Sequence, residues 1–384
     1  MANTRAFRAY RELMVRTRDQ DACPGALQVH PAADGALARV RLPGGMITAQ
    51  QLESLALAAT QWASPAMELT SRGNVQIRAI TDTEAVTDAL SASGLLPSTT
   101  HERVRNIVAS PLSGRVGPEA DIRAMVGELD DAIQNQPALA GLPGRFLFGI
   151  DDGRGDISGL SPDAGVQMVG DSAALLLAGR DTGVRLPPGD AVATLMTVAD
   201  RFAAIRKTSW RVSELEDVEQ LLAGFPVTAE PGVTWTPVSR PPVGWIEQND
   251  GRVALGAAVP LGVLNARVAE YLAAINAPMV ITPWRSVFVF DLSEHVADVA
   301  LRVLAPMGLV FDENSPWLSI SACTGSPGCE RSAADVRADA AAAAAEPAAG
   351  HRHFVGCDRA CGSPPAGEVL IATGDGYRPR DTHP

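Results

Sequence analysis

Residues 35–43 (Gly-Ala-Leu-Ala-Arg-Val-Arg-Leu-Pro) alternate apolar and polar positions, the pattern of a strand with one buried face. Gly44 and Gly45 supply a turn. Thr48 stands where a cap would start a helix carrying Leu52, Leu55 and Ala59 on one side. A second strand is predicted over 67–80, so the unit reads strand, helix, strand. The same order returns about 214 residues later. Asp250-Gly251 opens a strand ending at Pro260, as Asp34-Gly35 opens one ending at Pro43. Gly262 turns into a helix with Leu264, Val268 and Leu272, and the closing strand covers 281–287. Thr282 and Val287 are spaced as Thr70 and Val75 are. An internal duplication accounts for this pattern; two unrelated pieces of a common type would also produce it.

Each repeat leads into a longer mixed stretch. After the first, strands are predicted over 145–150, 165–169, 173–177 and 183–186, and a helix over 191–205. Pro237, Pro241 and Pro242 mark a linker. After the second repeat, an alanine-rich helix is predicted from Ser332 to about Glu346, ended by Pro347 and Gly350. The units expected are 15–82, 98–235, 240–300 and 308–378.

Composition adds exclusions. With 384 residues, 46% hydrophobic and 20% charged, the chain has material for two or three packed domains and is not disordered. A net charge of −12 argues against coating nucleic acid. No long apolar window is free of charge, so no membrane span is expected. The N-terminal arginines (Arg5, Arg8, Arg11, Arg16, Arg18) have no apolar stretch behind them, and the chain reads as cytoplasmic. Lys207 is the sole lysine. Arginine suits the bidentate grip of carboxylates.

Five cysteines, an odd number, argue against a closed disulfide framework. Cys23 stands alone. Cys323 and Cys329 form a C-x5-C pair, and Cys357 and Cys361 a C-x3-C pair. A cubic iron–sulfur cluster needs four converging thiolates and backbone N–H groups aimed at the sulfurs. Gly325, Gly328, Gly356 and Gly362 would permit such tight loops. Structural zinc, which prefers closer spacings, and four unrelated buried cysteines are the alternatives.

Cys323-Thr-Gly-Ser-Pro-Gly-Cys329 followed by Gly356-Cys357-x-x-x-Cys361 resembles the cluster motif of the sulfite/nitrite reductase superfamily. Thr70-Ser-Arg72-Gly-Asn-Val-Gln76 resembles that family's Thr-x-Arg-x-x-x-Gln element. Val104-Arg105-Asn106-Ile107 with Pro111 resembles its second arginine element, and Leu142-Pro143-Gly144-Arg145-Phe146 its third basic stretch. The resemblance runs from about residue 20 to 375. It implies an α+β fold with two pseudo-twofold-related halves. Each half would be a ferredoxin-like half-domain followed by an α/β domain of the reductase type. It also implies a 4Fe-4S cluster on Cys323, Cys329, Cys357 and Cys361, and a second iron centre, either mononuclear non-haem iron or sirohaem.

Further segments are similar to one branch of the superfamily, the precorrin-3A oxidisers of aerobic cobalamin assembly. They are Ala22-Cys23-Pro24-Gly25, the Asp-Asp-Gly-Arg-Gly-Asp run at 151–156, Thr282-Pro283-Trp284-Arg285, the stretch 331–340, and His353-Phe354-Val355-Gly356-Cys357. That branch implies precorrin-3A and O2 as substrates and an electron donor, reduced ferredoxin or an NAD(P)H-dependent reductase. The reaction implied is monooxygenation to a hydroxy-lactone. The alternatives are a sirohaem-dependent sulfite or nitrite reductase, with Cys361 bridging cluster and haem, and a non-catalytic electron carrier or tetrapyrrole-binding protein. Sulfite-reducing relatives carry basic residues at alternate positions of the third element. Here Arg145 is followed at the next such position by Leu147.

The macrocycle of such a substrate has a rim of carboxylates. Arg72, Arg78, Arg105, Arg145 and Arg154 in the first half, and Arg285 and Arg331 in the second, are candidates to hold them. Each charge-assisted bond would contribute about 1.5–3 kcal/mol. His351 and His353 are candidates to ligate iron or donate to a substrate carboxylate, and His101 lies beside the Arg105 element. Cys23 reads as an ordinary buried cysteine. Asp151, Asp152 and Asp156 could help bind a metal or simply form a polar turn.

Overall fold

The computed structural model describes residues 21–238, 240–346 and 350–380. The N-terminal arginines, residues 15–20 of the first expected unit, and Pro347 lie outside the described residues.

The first repeat contains β1 (His30–Ala32), β2 (Gly35–Val40), β3 (Met46–Ile47), α1 (Ala49–Trp62), β4 (Ala66–Leu69), β5 (Val75–Ile80) and α2 (Thr83–Ala92). Thr48 caps α1 in a reciprocal capping box with Gln51, and Leu52, Leu55 and Ala59 face the core. The strand expected over 67–80 is a hairpin. The Thr70 N–H donates to the Asn74 carbonyl at 2.9 Å, and the Gly73 N–H to the Thr70 carbonyl at 3.1 Å. Gly73 supplies the left-handed φ of +66° that this reversal needs.

Next come β6 (Ile107–Ala109), α3 (Arg123–Gln134), β7 (Phe148–Asp151), β8 (Ala164–Val169), β9 (Ser172–Leu177), β10 (Arg180–Leu186) and α4 (Ala191–Ile205). The sheet order is β10-β9-β8-β7-β6, with β6, β7 and β8 parallel. The strand expected from 145 begins at Phe148, because the Phe146 N–H closes a turn on the Pro143 carbonyl at 2.9 Å.

The second repeat has β11 (Gly244–Glu247), β12 (Val253–Ala258), β13 (Val263–Asn265), α5 (Ala266–Ala274), β14 (Met279–Ile281), β15 (Ser286–Leu292) and α6 (Glu294–Leu304). Leu264, expected on the helix, lies on β13; Asn265 caps α5 through its side chain. The last unit has β16 (Ile320–Ala322), α7 (Val336–Ala343), β17 (Arg352–Val355), β18 (Glu368–Thr373) and β19 (Gly376–Pro379). Helix α7 starts later than Ser332, where the Asp335 carboxylate accepts the Ala338 N–H at 3.1 Å.

The repeats are related by a pseudo-twofold exchange. One sheet runs β1-β2-β5-β4-β13 and the other β11-β12-β15-β14-β3, so each takes its last strand from the other half. Val263 pairs with Glu68, and Met279 with Ile47. The turns correspond as well: the Thr282 N–H donates to Ser286 at 2.9 Å and the Arg285 N–H to Thr282 at 3.1 Å. Arg285 takes a φ of +58° where its twin is Gly73. A Cβ on Gly45 would lie 1.9 Å from the Ile281 carbonyl oxygen, and one on Gly262 would lie 3.1 Å from that of Leu69. Glycine is thus required at Gly45, and its twin makes the mirrored contact. One apolar core joins the halves, taking Leu52, Met67 and Ile77 from the first and Leu272, Met279 and Val289 from the second.

Candidate functional site

Strands β16 and β17 lie side by side and parallel, Ile320 opposite Arg352 and Ala322 opposite Phe354. Their common end therefore delivers Cys323 and Cys357 to one place. The Cys323 N–H donates to the Phe354 carbonyl at 2.9 Å, and the Gly356 N–H donates to Cys323 Sγ at 3.3 Å. A Cβ on Gly356 would fall 1.8 Å from Ser332 Oγ, so the backbone reaches that sulfur because the residue is glycine. Cys329 sits on a turn closed by its N–H to the Gly325 carbonyl at 2.8 Å.

All five cysteines are free thiols. Burial pushes the Cys323 and Cys361 thiols up, and both are pushed further by other members of the quartet. Among the described residues, no three of the four sulfurs lie within 4.8 Å of one another. Tetrahedral zinc would draw four sulfurs to about 3.8 Å. A cube, with one sulfur on each iron, holds them farther apart. The donor set and the N–H aimed at a sulfur fit a four-iron cluster.

Opposite these loops stands one face of the first hairpin. Arg39 pairs across β2 and β5 with Gln76, which pairs in turn with Glu68 on β4; Arg78 lies two residues on. Glu68 accepts hydrogen bonds from Gln76 (2.9 Å), Thr324 of the cysteine loop (3.2 Å) and Arg337 (2.6 Å). Arg78 is held by Asp34 through two bonds of 2.9 Å and donates to the Gly328 carbonyl at 2.6 Å. First-half side chains therefore pin the loop between Cys323 and Cys329.

Arg72 donates to the carbonyls of Gly144 (3.3 Å) and Arg145 (3.0 Å), with no carboxylate partner among the described residues. Burial, followed by repulsion from Arg211, lowers its pKa to about 10. Arg285 donates to the Gly362 carbonyl, one residue past Cys361, at 2.8 Å. Burial, then Arg337, lowers its pKa to about 10 as well. Ser71, Leu160, Trp284, Arg285, Trp317 and His351 line a cleft between the halves.

The sequence model of the nitrite/sulfite reductase ferredoxin-like half domain matches residues 30–92. The NirA protein of Mycobacterium tuberculosis superposes with a TM-score of 0.75 over 91% of this chain and 77% of its own, at 19% identity. The chain has the sulfite/nitrite reductase fold. Over 94% of its length it is 27% identical to a protein named precorrin-3B synthase from Sinorhizobium sp, of which it covers 83%. A shorter stretch, 31% of the chain, is 32% identical to 25% of a ferredoxin–nitrite reductase from Synechococcus elongatus. The likeness to the protein named precorrin-3B synthase in sequence, and to NirA in fold, thus extends along nearly the whole chain.

Within this sulfite/nitrite reductase fold, not every candidate arginine is free for a ligand. Arg105 is buried and grips Asp130 of α3 through two 2.7 Å bonds. Arg154 is taken by Asp152 at 2.9 Å and the Val116 carbonyl at 2.9 Å. Both are engaged by carboxylates of the chain itself, Arg105 by the half-buried Asp130 and Arg154 by the buried Asp152. Arg78 is likewise engaged, as the pin described above. Arg145 is exposed, its guanidinium 5.5 Å from the Trp210 ring centroid, and Arg331 is exposed.

His353 is fully buried, between the Ser321 hydroxyl (2.7 Å, at Nδ1) and the Cys361 carbonyl (3.0 Å, at Nε2). A carbonyl accepts, so Nε2 carries the proton and Nδ1 accepts from Ser321. The ring thereby holds the loop of the fourth cysteine. His351 Nε2 contacts the same hydroxyl at 2.8 Å. Burial lowers the two pKa values to about 3 and about 4, so both rings are neutral near pH 7. His101 caps the Gln136 carbonyl at 3.0 Å, a framework role.

The oxygens of Asp151, Asp152 and Asp156 approach within 4.8 Å of one another. Asp151 accepts from the N–H groups of Gly153, Gly155, Ile157 and Ser158, as a polar turn requires. Leu147 is buried in an apolar cluster with Val108 and Ile157, against Trp284.

Arg39, Arg41, Glu68 and Ser321 were not singled out by motif. Arg39 on β2 and Arg41 just past its end alternate with the core residues Ala38, Val40 and Leu42, and that alternation was the available signal.

Proposed function

We propose that the chain oxidises precorrin-3A with O2 and an electron donor to the hydroxy-lactone precorrin-3B, a step of cobalamin assembly. One juxtaposition carries the reading: four thiols grouped beyond two parallel strands stand against charged side chains of the other half, Arg78 on the Gly328 carbonyl and Glu68 on Thr324. The likeness to precorrin-3B synthase over 94% of the chain supports the choice of substrate. When bound, a 4Fe-4S cluster and a second iron centre, mononuclear non-haem iron or sirohaem, supply single electrons and a place for O2 to be reduced.

The chain's own residues do the rest. Cys323, Cys329, Cys357 and Cys361 hold the cluster, and the Gly356 N–H stabilises negative charge on the Cys323 sulfur. Arg72, Arg145, Arg285 and Arg331 meet macrocycle carboxylates, while Arg78, Arg105 and Arg154 hold the frame. His353 and Ser321 fix the Cys361 loop. Reduced ferredoxin or an NAD(P)H-dependent reductase would feed the cluster.

A sirohaem-dependent sulfite or nitrite reductase is the second reading, supported by the NirA-like fold. Leu147 weighs against it. A small oxyanion needs several preorganised cations, and losing one donor costs about two to three orders of magnitude in rate. Leu147 instead fills an apolar contact under Trp284.

The test uses the cluster-loaded protein with a reductant. O2 uptake should require precorrin-3A, and label from oxygen gas should enter the product. Rapid sulfide or ammonia formation without a tetrapyrrole substrate, with a sirohaem Soret band, would establish the reductase instead. No described helix is long and apolar enough to cross a membrane.

A further inference from the structure

Arg285 stands in a left-handed conformation at a turn position whose twin in the first repeat is Gly73. A side chain strains the backbone there, and such strain persists only where the surroundings fix it. Two glycines flank this side chain. A Cβ on Gly262 would lie 2.7 Å from Arg285 Cδ, and one on Gly362 would lie 2.7 Å from Arg285 Nη2. The side chain therefore passes close against two backbones. It ends with Nη2 donating to the Gly362 carbonyl at 2.8 Å and meets no carboxylate among the described residues.

The neighbouring carbonyl, that of Cys361, accepts from His353 Nε2 at 3.0 Å. His353 Nδ1 accepts from the Ser321 hydroxyl at 2.7 Å, which uses the one proton of that hydroxyl. His351 Nε2 therefore donates to the Ser321 oxygen at 2.8 Å. These three side chains form one line of donors that points at the Cys361 loop. A cation and a neutral ring thus hold consecutive carbonyls, 361 and 362, of the loop that carries the fourth thiol. Arg285, Ser321 and His351 also line the cleft between the halves. The other cysteine loop is held differently, by Arg78 and Glu68 of the first half.

We propose that Arg285 is a positioning residue for the cluster. With the His351–Ser321–His353 line it fixes the Cys361 loop from the cleft wall, and its charge makes the cluster easier to reduce. The inference rests on the cluster assignment above. A reduced cluster carries one more negative charge, and a buried guanidinium beside its loop favours that state.

The test reads the midpoint potential of the cluster-loaded protein, by redox titration followed with the electron paramagnetic resonance of the reduced cluster. Arg285→Gln should lower the reduced-to-oxidised ratio at fixed poise about tenfold, about 59 mV for one electron. Arg285→Lys should restore most of it. Arg302→Gln removes the same charge from a side chain 75% exposed on α6 and should leave the midpoint in place. Ser321→Ala cuts the line of donors and should release iron to a chelator about fivefold faster, whereas Ser321→Thr should keep the parent rate. A loaded Arg285→Gln protein with the parent midpoint would overturn the inference, as would an equal shift in Arg302→Gln. If Arg285→Gln takes up no iron, the Ser321→Ala release rate decides, and a rate equal to the parent's would overturn the inference. A parent chain that binds neither iron nor sulfide would end the cluster assignment and this inference together; a loaded chain with an unchanged midpoint ends this one alone.

Discussion

The two hairpins occupy the same place in the two halves and present opposite chemistry. Through the strand pairings, Arg39, Glu68, Gln76 and Arg78 of the first correspond to Gly256, Val280, Phe288 and Phe290 of the second. The first set faces the cysteine loops. The second packs with Leu112 against Val116 of the neighbouring domain, with Phe288 and Phe290 stacked 5.5 Å apart. The remaining hairpin face carries core residues in both halves, such as Ile77 and Val289. Duplication therefore preserved the face that holds the halves together and freed the other to diverge. One copy became a charged wall and the other an apolar plug. Arg72 and Trp284 repeat the contrast at the twin turns: one donates to two carbonyls at the surface of its half, the other seats its indole N–H on the Val238 carbonyl at 2.7 Å.

The largest expected effect tests the wall's partner. Serine at Cys323, Cys329, Cys357 or Cys361 should remove most inorganic sulfide, measured with iron on the purified protein, whereas Cys23→Ser should retain it. Loss at Cys23 with retention at Cys357 would show that the cluster is elsewhere.

Next, the twin positions should respond differently. Phe288→Ala empties a fully buried site and should cost about 3–5 kcal/mol in denaturant unfolding. Gln76→Ala should cost about 1 kcal/mol. Equal losses would mean that the two faces do the same structural work.

The two arginine classes should also separate. Arg105→Ala leaves the Asp130 carboxylate with only the Gln134 amide (3.0 Å) at a site where the two side chains are 6% and 13% exposed, and should cost about 3 kcal/mol. Arg72→Ala should leave the unfolding midpoint nearly unchanged and weaken uroporphyrin binding, read by fluorescence quenching. If Arg105→Ala leaves stability intact and impairs binding, its assignment to the frame is wrong.

The last effect is graded, a pH slope at Asp156. Burial raises the Asp156 pKa to about 7, and the Asp151 and Asp152 charges add to it against the Ser110 hydrogen bond. The folded state then holds a proton that the unfolded chain has released. Stability from this group is present below about pH 4 and is lost as pH rises towards 7. The slope is at most about 1.4 kcal/mol per pH unit. Asp156→Asn should flatten it in unfolding curves measured between those limits.

The duplication was legible because it rests on local signals. Paired glycine turns, a helix cap and a fixed threonine-to-valine interval are set by backbone geometry within each repeat. The cysteine quartet was legible for the same reason, since its spacing and flanking glycines are local requirements of the loops. Helix α4 matched its expected bounds because its apolar periodicity is continuous. The hairpin at 70–74 was read as one strand, because a short polar turn between two apolar runs resembles an alternating strand.

The partner of each arginine was not legible. Arg72 and Arg105 sit in equally distinctive motifs, yet one meets carbonyls and the other meets Asp130, 25 residues along the chain. Arg41 looked like any polar strand position until folding buried it beside Arg39. Sequence determined the repeats, the thiol loops and the faces of strands, because periodicity and turn chemistry act over a few residues. Tertiary structure decided the strand exchange, the difference between wall and plug, and which cations remain without a carboxylate. Those outcomes depend on which surfaces meet across hundreds of residues, and a guanidinium's task is set by whatever anion stands within hydrogen-bonding distance.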